Sequence, residues 1–313
     1  MVEIEDIVAA QRAVAGRLHR TPMMGSEHFS RESGCKIRFK LEMFQKTGSF
    51  KSRGAMNKML SLDEATRRRG VIGISSGNHA QAMAWAAAQC GAAAVVVMPA
   101  WSTPYKVAAT RGYGAEVVLT EDNLLERCAK LQEERNLTLV HPFDDPAIIA
   151  GAGTVGLEIL EDAPDVDVVI CGIGGGGLIS GVASAIKGRR SEAKVYGVEP
   201  EGACAMTKSL AEGKPATLEK VETVADGLAA PWAGENTFEH VKHRVDEVVL
   251  VSDAEILEAM RAILERLKVV AEPSAAAGLA ALRSGKIKPD AGANVVLVLS
   301  GGNINGERLK SLL

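Results

Sequence analysis

Apolar runs of strand length recur along this chain, separated by stretches whose apolar positions return every three to four residues. Ile37 to Leu41 (IRFKL), Gly70 to Ser75 (GVIGIS), Ala93 to Met98 (AAVVVM) and Ala115 to Leu119 (AEVVL) form a first set. Val166 to Cys171 (VDVVIC), Ala193 to Val198 (AKVYGV), Glu247 to Val251 (EVVLV) and Asn294 to Leu299 (NVVLVL) form a second. They are rich in Val and Ile and mostly do not alternate, which is the pattern of strands buried on both faces of a parallel sheet. Between them, Asn78 to Gly91 is Ala-rich and stops at a glycine, and Leu124 to Arg135 carries charges at helical spacing. Leu178 to Lys187 follows a glycine run, and Asp253 to Leu267 opens behind Ser252, a capping residue followed by acids. Strands alternating with helices predict an α/β protein with one or two open, mostly parallel sheets. His141 to Thr154 (HPFDDPAIIAGAGT) reads as a long connection punctuated by Pro and Gly, with a boundary near residue 148.

Composition narrows the classes. The 313 residues fit about two domains. Thirty-two Gly against six Phe, three Tyr and three Trp predict backbones that come close together. A net charge of -3 with so few aromatics argues against a nucleic-acid partner. No apolar run approaches the roughly 18 residues of a membrane span. The N-terminal MVEIEDIVAAQRAVAGRLHR is charged and amphipathic, unlike a signal peptide. Cys35, Cys90, Cys128, Cys171 and Cys204 form no C-x-x-C pair, so reduced thiols in a cytoplasm are expected.

Candidate chemistry concentrates in four turns rich in Gly, Ser or Asn, each at a strand end or helix start, where open α/β sheets bind ligands. Gly172-Ile173-Gly174-Gly175-Gly176-Gly177 follows VDVVIC and opens a helix. Its backbone N–H groups and the helix dipole suit a phosphate. Gly172, Gly174 and Gly177 also spell G-x-G-x-x-G, with Glu199 about 20 residues on, so a dinucleotide-binding dehydrogenase is a competing expectation.

The second turn, Lys46 to Ala55, carries Lys51. A lysine becomes a nucleophile when desolvation or a nearby cation lowers its pKa, and Arg53 and a helix start are expected to supply that field. A solvated surface lysine is the plain alternative. Ser75-Ser76-Gly77-Asn78-His79 offers hydroxyls, an amide and free N–H groups to a carboxylate, and Ser76 or Asn78 is expected to cap the helix. Ser300-Gly301-Gly302-Asn303 ends NVVLVL. Together they suit a phosphorylated aldehyde cofactor that forms a Schiff base, with an amino acid as substrate.

KTGSFKSRGA, SSGNHAQ, GGGGLISG, AEPSAA and SGGN match, in order and spacing, the fold-type II pyridoxal-phosphate enzymes. Within them the chain resembles the threonine/serine dehydratases and serine racemases, from Arg20-Thr21-Pro22 to Asn303. The resemblance implies a tryptophan synthase β-like fold of two open, mostly parallel twisted sheets flanked by helices. It implies a large cofactor-binding domain of residues 1–66 and 149–313 and a small domain of 67–148. Lys51 would be the Schiff-base lysine, with Phe50 packed beside the ring. Asn78 would bond the ring 3-hydroxyl, Gly174, Gly175, Gly176 and Gly177 the phosphate, and Ser300 the pyridine nitrogen. Ser75, Ser76, Gly77, Asn78 and His79 would line the substrate carboxylate site, and Glu272 would lie near the cofactor.

The implied activity is an ammonia-lyase of the EC 4.3.1 type, converting L-threonine or L-serine to a 2-keto acid and ammonia by β-elimination of water. A hydroxyl opposite Lys51, Ser76, would also permit racemisation. A racemase or a dehydratase of another β-hydroxy amino acid is therefore the alternative, and a non-catalytic binder has no need of Lys51. The resemblance is to the short, catabolic type, cytoplasmic and homodimeric or homotetrameric. A cation, divalent or monovalent, stays open. Serine racemase-like relatives use a Glu and an Asp after the strand matching AKVYGV; here Glu199 is present, but Ala205 takes the second place. The loop Ala225 to Trp232 also departs from the dehydratase pattern, and Pro231 and Trp232 are expected to reshape the substrate site. His240 and His243 are expected on a solvated helix face.

Overall fold

The computed structural model describes residues 1–313. The strands are β1 (Met23–Gly25), β2 (Lys36–Leu41), β3 (Val71–Ile74), β4 (Ala94–Pro99), β5 (Glu116–Thr120), β6 (Thr138–Leu139), β7 (Val168–Gly172), β8 (Lys194–Pro200), β9 (Glu247–Val251) and β10 (Asn294–Leu299). The helices are α1 (Ile4–Val14), α2 (Glu27–Ser33), α3 (Lys51–Ser61), α4 (Glu64–Arg69), α5 (Asn78–Gln89), α6 (Pro104–Gly112) and α7 (Leu124–Arg135). They continue with α8 (Pro146–Asp162), α9 (Gly177–Arg189), α10 (Ala205–Glu212), α11 (Glu235–Arg244), α12 (Asp253–Leu267), α13 (Pro273–Arg283) and α14 (Gly306–Leu312).

One sheet has six strands in the order β1-β2-β10-β7-β8-β9, and the other has four in the order β5-β4-β3-β6. Every pairing is parallel except β1 with β2. The apolar runs do not alternate because both sheet faces are covered. On β7, Val168 and Ile170 enter one core while Val169 and Cys171 enter another, and β10 divides Val295, Leu297 and Leu299 from Val296 and Val298 in the same way. No helix is long and apolar enough to cross a membrane.

The expected connection over His141–Thr154 is corrected. From Pro146 onward it is α8, a helix of 17 residues capped by Asp145, whose Oδ1 accepts the N–H groups of Ala147 and Ile148. Pro146 occupies the first turn, where a missing N–H costs nothing. The glycines that look like breakers are contact points. A Cβ on Gly151 would lie 2.6 Å from the Arg53 carbonyl, and Gly181 of α9 meets the backbone of Ile149 and Gly153 equally tightly. Helices α3, α8 and α9 therefore pack backbone against backbone, in a layer that carries both Lys51 and the glycine run.

A buried ion network fixes α3. Arg53 Nε and Nη2 donate to Glu42 at 2.7 and 2.8 Å, and Nη1 and Nη2 donate to Glu158 at 2.7 and 2.9 Å. Lys40 Nζ adds a contact to Glu158 at 2.6 Å. Arg53 thus serves its two carboxylates and supplies no free positive field to Lys51, contrary to the expectation. The expected cap of α5 also differs: Gly77 is the N-cap and no side chain fills the role. His240 is buried rather than solvated, with Nε2 accepting the Val2 N–H at 2.7 Å, while His243 faces Glu239 on the surface. The apolar residues Ile7, Ala10 and Val14 bury one face of α1, so the chain start is packed and His240 is enclosed beneath it.

Candidate active site

Lys51 is the first residue of α3, not a turn residue before it. The turn ahead of it holds Thr47 at φ 60° and Gly48 at φ 73°, a left-handed pair that reverses the chain. That turn is fastened to the segment after β10. The Phe50 N–H donates to the Ser300 carbonyl at 3.0 Å, Ser49 pairs with Gly301, and the Gly302 N–H donates to the Gly48 carbonyl at 3.0 Å. KTGSFK and SGGN, which are 250 residues apart in sequence, are thereby one unit.

Lys51 Nζ donates to the Pro142 carbonyl at 2.6 Å and lies 5.1 Å from the centroid of the Phe50 ring. Burial pushes its pKa down to about 8, against the opposing charge of Glu272. Desolvation therefore activates this amine.

The glycine run turns from β7 into α9, with Gly176 at φ +93° as the N-cap. The Ile173 N–H is used by the Val198 carbonyl, but those of Gly174, Gly175, Gly176 and Gly177 have no acceptor within the chain. A second reason for glycine appears on the other side of the run. A Cβ on Gly175 would overlap the Phe143 ring, and one on Gly177 would lie 3.0 Å from Phe143 Cα. Thr237 Oγ1 donates to the Gly175 carbonyl at 2.8 Å and holds the run open.

Asn78, at the start of α5, is gripped from both ends. Its Nδ2 donates to Glu272 Oε1 at 2.8 Å, and its Oδ1 accepts Asn303 Nδ2 at 2.7 Å. One N–H and one lone pair of that amide remain for a ligand. Burial pushes the Glu272 carboxyl up to about 7, although the Asn78 bond opposes this. Ser300 is buried and its hydroxyl makes no bond within the chain, while its carbonyl serves Phe50. Ser75 Oγ accepts the Gly77 N–H at 3.1 Å, and Ser76 stands half-exposed beside it. His79 differs from the expectation: it is 2% exposed, and its Nε2 is bonded to the Val140 carbonyl at 3.0 Å. Burial pushes its pKa down to about 3, with Lys51 adding to the shift. Its imidazole is therefore neutral, and what it offers at the helix start is its backbone N–H.

Glu199 is fully buried at the end of β8, with Oε1 accepting the Met206 N–H at 2.8 Å. Oε2 accepts the Thr207 N–H at 2.8 Å and the Thr207 hydroxyl at 2.6 Å. Both oxygens are committed to the start of α10. Glu199 thus holds no ribose, and the dinucleotide alternative loses its acidic residue. These bonds give Glu199 a structural role at the start of α10.

Sequence reasoning missed several residues that the fold brings to the site. Pro142 meets Lys51, and Phe143 covers the glycine run. Asn303 fixes Asn78, and Ser274 Oγ accepts the Gly227 N–H at 2.8 Å. Their one sequence cue was position, next to a strand end or inside a quoted motif. Trp232 of the divergent loop stands 6.2 Å from Phe143, ring centroid to ring centroid.

The acceptor-free glycine amides, the desolvated lysine and the free Ser300 hydroxyl are tied together through Pro142, Phe143 and Phe50, a donor set that fits a phosphorylated aldehyde of a hydroxypyridine. A family model described as pyridoxal-phosphate dependent enzyme matches residues 14–301. An L-threonine ammonia-lyase of Thermotoga maritima is 47% identical over 97% of this chain and 76% of its own length. The catabolic L-threonine dehydratase of Escherichia coli is 44% identical over 99% of this chain and 96% of its own. The solved structure of maize serine racemase superposes with a TM-score of 0.95 at 39% identity, covering 99% of this chain and 96% of that one.

Proposed function

Because the chain belongs to the family of pyridoxal-phosphate dependent enzymes, we propose that it deaminates L-threonine and L-serine to a 2-keto acid and ammonia. The observation that carries this is Lys51, desolvated to a pKa of about 8 beside glycine amides without acceptors. Pyridoxal phosphate, when bound, supplies an aldehyde for an amine and a ring that accepts the electrons left by a departing Cα proton. Lys51 would hold it and would serve as the base for that proton. At pH 7 about a tenth of such a lysine is unprotonated, against about one part in three thousand at the ordinary value of 10.5. Gly174, Gly175, Gly176 and Gly177 hold the phosphate, Asn78 the ring hydroxyl and Ser300 the pyridine nitrogen, with Phe50 and Glu272 alongside.

The start of α5, Ser75 to His79, receives the substrate carboxylate on free N–H groups and hydroxyls. The Ser76 hydroxyl makes no bond within the chain, and together with the likeness to maize serine racemase it supports racemisation as a second outcome at the same site. Residues 67–148, which contain the four-stranded sheet, are taken as the small domain, and 1–66 with 149–313 as the large one. A cytoplasmic homodimer or homotetramer is the proposed setting. The purified protein is expected to show a visible absorption band and to release keto acid from threonine, and Lys51→Ala to lose both. Turnover retained in that variant overturns the proposal. Chiral analysis of serine after incubation measures the second outcome.

A further inference from the structure

The segment His141-Pro142-Phe143-Asp144 plays no part in the chemistry above, yet it touches each part of the site. The chain leaves β6 and folds on itself. His141 Nδ1 accepts the Asp144 N–H at 2.7 Å and the Phe143 N–H at 3.3 Å. Pro142 receives Lys51 Nζ, and Phe143 lies on Gly175 and Gly177. Asp144 Oδ1 accepts the Thr237 N–H at 3.0 Å, and Thr237 in turn holds the Gly175 carbonyl. The His141 ring meets the Phe143 ring edge-on, 4.7 Å between centroids.

A nitrogen that accepts two N–H groups must carry a lone pair, so the ring is neutral with its proton on Nε2. The charged and titratable groups that act on it are Lys51 on α3, His79 on α5, and Asp144 and Asp145 in its own segment. Burial pulls its pKa below the ordinary histidine value; Asp144 opposes this and Lys51 reinforces it.

We propose that His141 is a positioning residue. Its neutral imidazole folds residues 141–144 into a strap that seats Pro142 against Lys51 and Phe143 against the glycine run. Protonation of Nδ1 removes the acceptor, opens the strap and loosens the phosphate cradle. The chain makes the same turn elsewhere with side-chain oxygens as acceptors. Asn123 Oδ1 accepts the N–H groups two and three residues on at 2.9 and 3.2 Å, and Asp145 Oδ1 does so at 2.8 and 3.2 Å. His141→Asn therefore keeps an acceptor and removes the titration, whereas His141→Ala removes both.

This rests on Lys51 and the glycine run forming the cofactor site, so the first measurement omits the cofactor. Hydrogen exchange, corrected for intrinsic rates, is expected to show the Phe143 and Asp144 amides protected at about pH 7.5 in wild type and in His141→Asn. At a pH below the depressed histidine value protection is lost in wild type alone, and His141→Ala lacks it at both values. Equal protection in wild type and His141→Ala overturns the strap. The second measurement is pyridoxal phosphate affinity at the same two pH values. Lys51 and Glu272 also titrate, so the ratio of wild type to His141→Asn is what counts. It is expected to change about fivefold or more, the scale of one lost hydrogen bond, with His141→Ala about tenfold weaker than wild type at about pH 7.5. Affinities that fall in parallel overturn the coupling to the cradle. Protection as expected in a protein that binds no pyridoxal phosphate defeats the cofactor assignment and leaves the strap standing.

Discussion

Replacing Arg53 by Met tests whether the buried ion network is a requirement of the fold. Arg53 is among the largest fully buried side chains. Besides Glu42 and Glu158, its guanidinium donates to Thr154 Oγ1 at 3.1 Å and Thr21 Oγ1 at 3.3 Å. Two cations, Arg53 and Lys40, balance two carboxylates, Glu42 and Glu158. The variant leaves one net negative charge underground and strips Glu42 of its only ionic partner. Removing one side of a buried pair costs about 3–5 kcal/mol, out of a total stability of roughly 5–15. The melting temperature is expected to fall by on the order of 10 °C.

Urea unfolding at neutral pH and at about pH 4 reads the sign as well as the size. Burial alone would raise the Glu158 pKa, but Arg53 and Lys40 outweigh it and hold the carboxyl below its ordinary value of 4.5. Its contribution to stability is therefore present above that value and lost as pH falls through the depressed one. In Arg53→Met the released Glu158 carboxyl protonates more readily, so the gap to wild type narrows toward pH 4. Arg53→Lys is expected to fall in between, since one ammonium cannot fork to two carboxylates. A variant within about 1 kcal/mol of wild type at pH 7, or a gap that stays constant with pH, would refute the reasoning.

Two further outcomes follow from the site. Gly175→Ala drives a methyl into the Phe143 ring, and is expected to cost about 1–3 kcal/mol and to weaken pyridoxal phosphate binding; Phe143→Leu in the same chain should restore part of both, as read by cofactor titration and denaturation midpoint. Asn303→Asp turns the donors facing Thr47 O and Asn78 Oδ1, each at 2.7 Å, into acceptors, and is expected to lower keto-acid release about tenfold or more, beyond the loss in Asn303→Ala; equal losses count against the donor argument.

Much of the fold was legible because buried parallel strands announce themselves. The runs at 247–251 and 294–299 coincide with β9 and β10, and α7 and α12 keep the expected bounds. The misreadings share one cause. Pro146, Gly151, Gly153 and Gly156 look like chain breakers by local preference, yet they make α8 fit against α3 and α9, a tertiary demand that local preference does not contain. Arg53 was misassigned because its carboxylates come from distant segments, Glu158 being 105 residues away. At the site, the turn motifs pointed to Lys51, Asn78 and Ser300. The strap at His141 was hidden because it joins an imidazole acceptor to backbone N–H groups two and three residues on and to ring packing, none of which a sequence pattern marks.

The strand order also sets a schedule for biosynthesis. β3 to β6 are complete once Leu139 has emerged, so the four-stranded sheet assembles while the chain is still growing. The six-stranded sheet cannot. β10, which lies between β2 and β7, is made after every other strand, and until it arrives the facing edges of β2 and β7 stay open to any other extended strand. A chain cut before Asn294 therefore has one finished sheet, one split sheet and no SGGN segment to fasten the lysine turn. Such a product is a substrate for chaperones and proteases, and its hazard lies in the two unpaired edges at its centre.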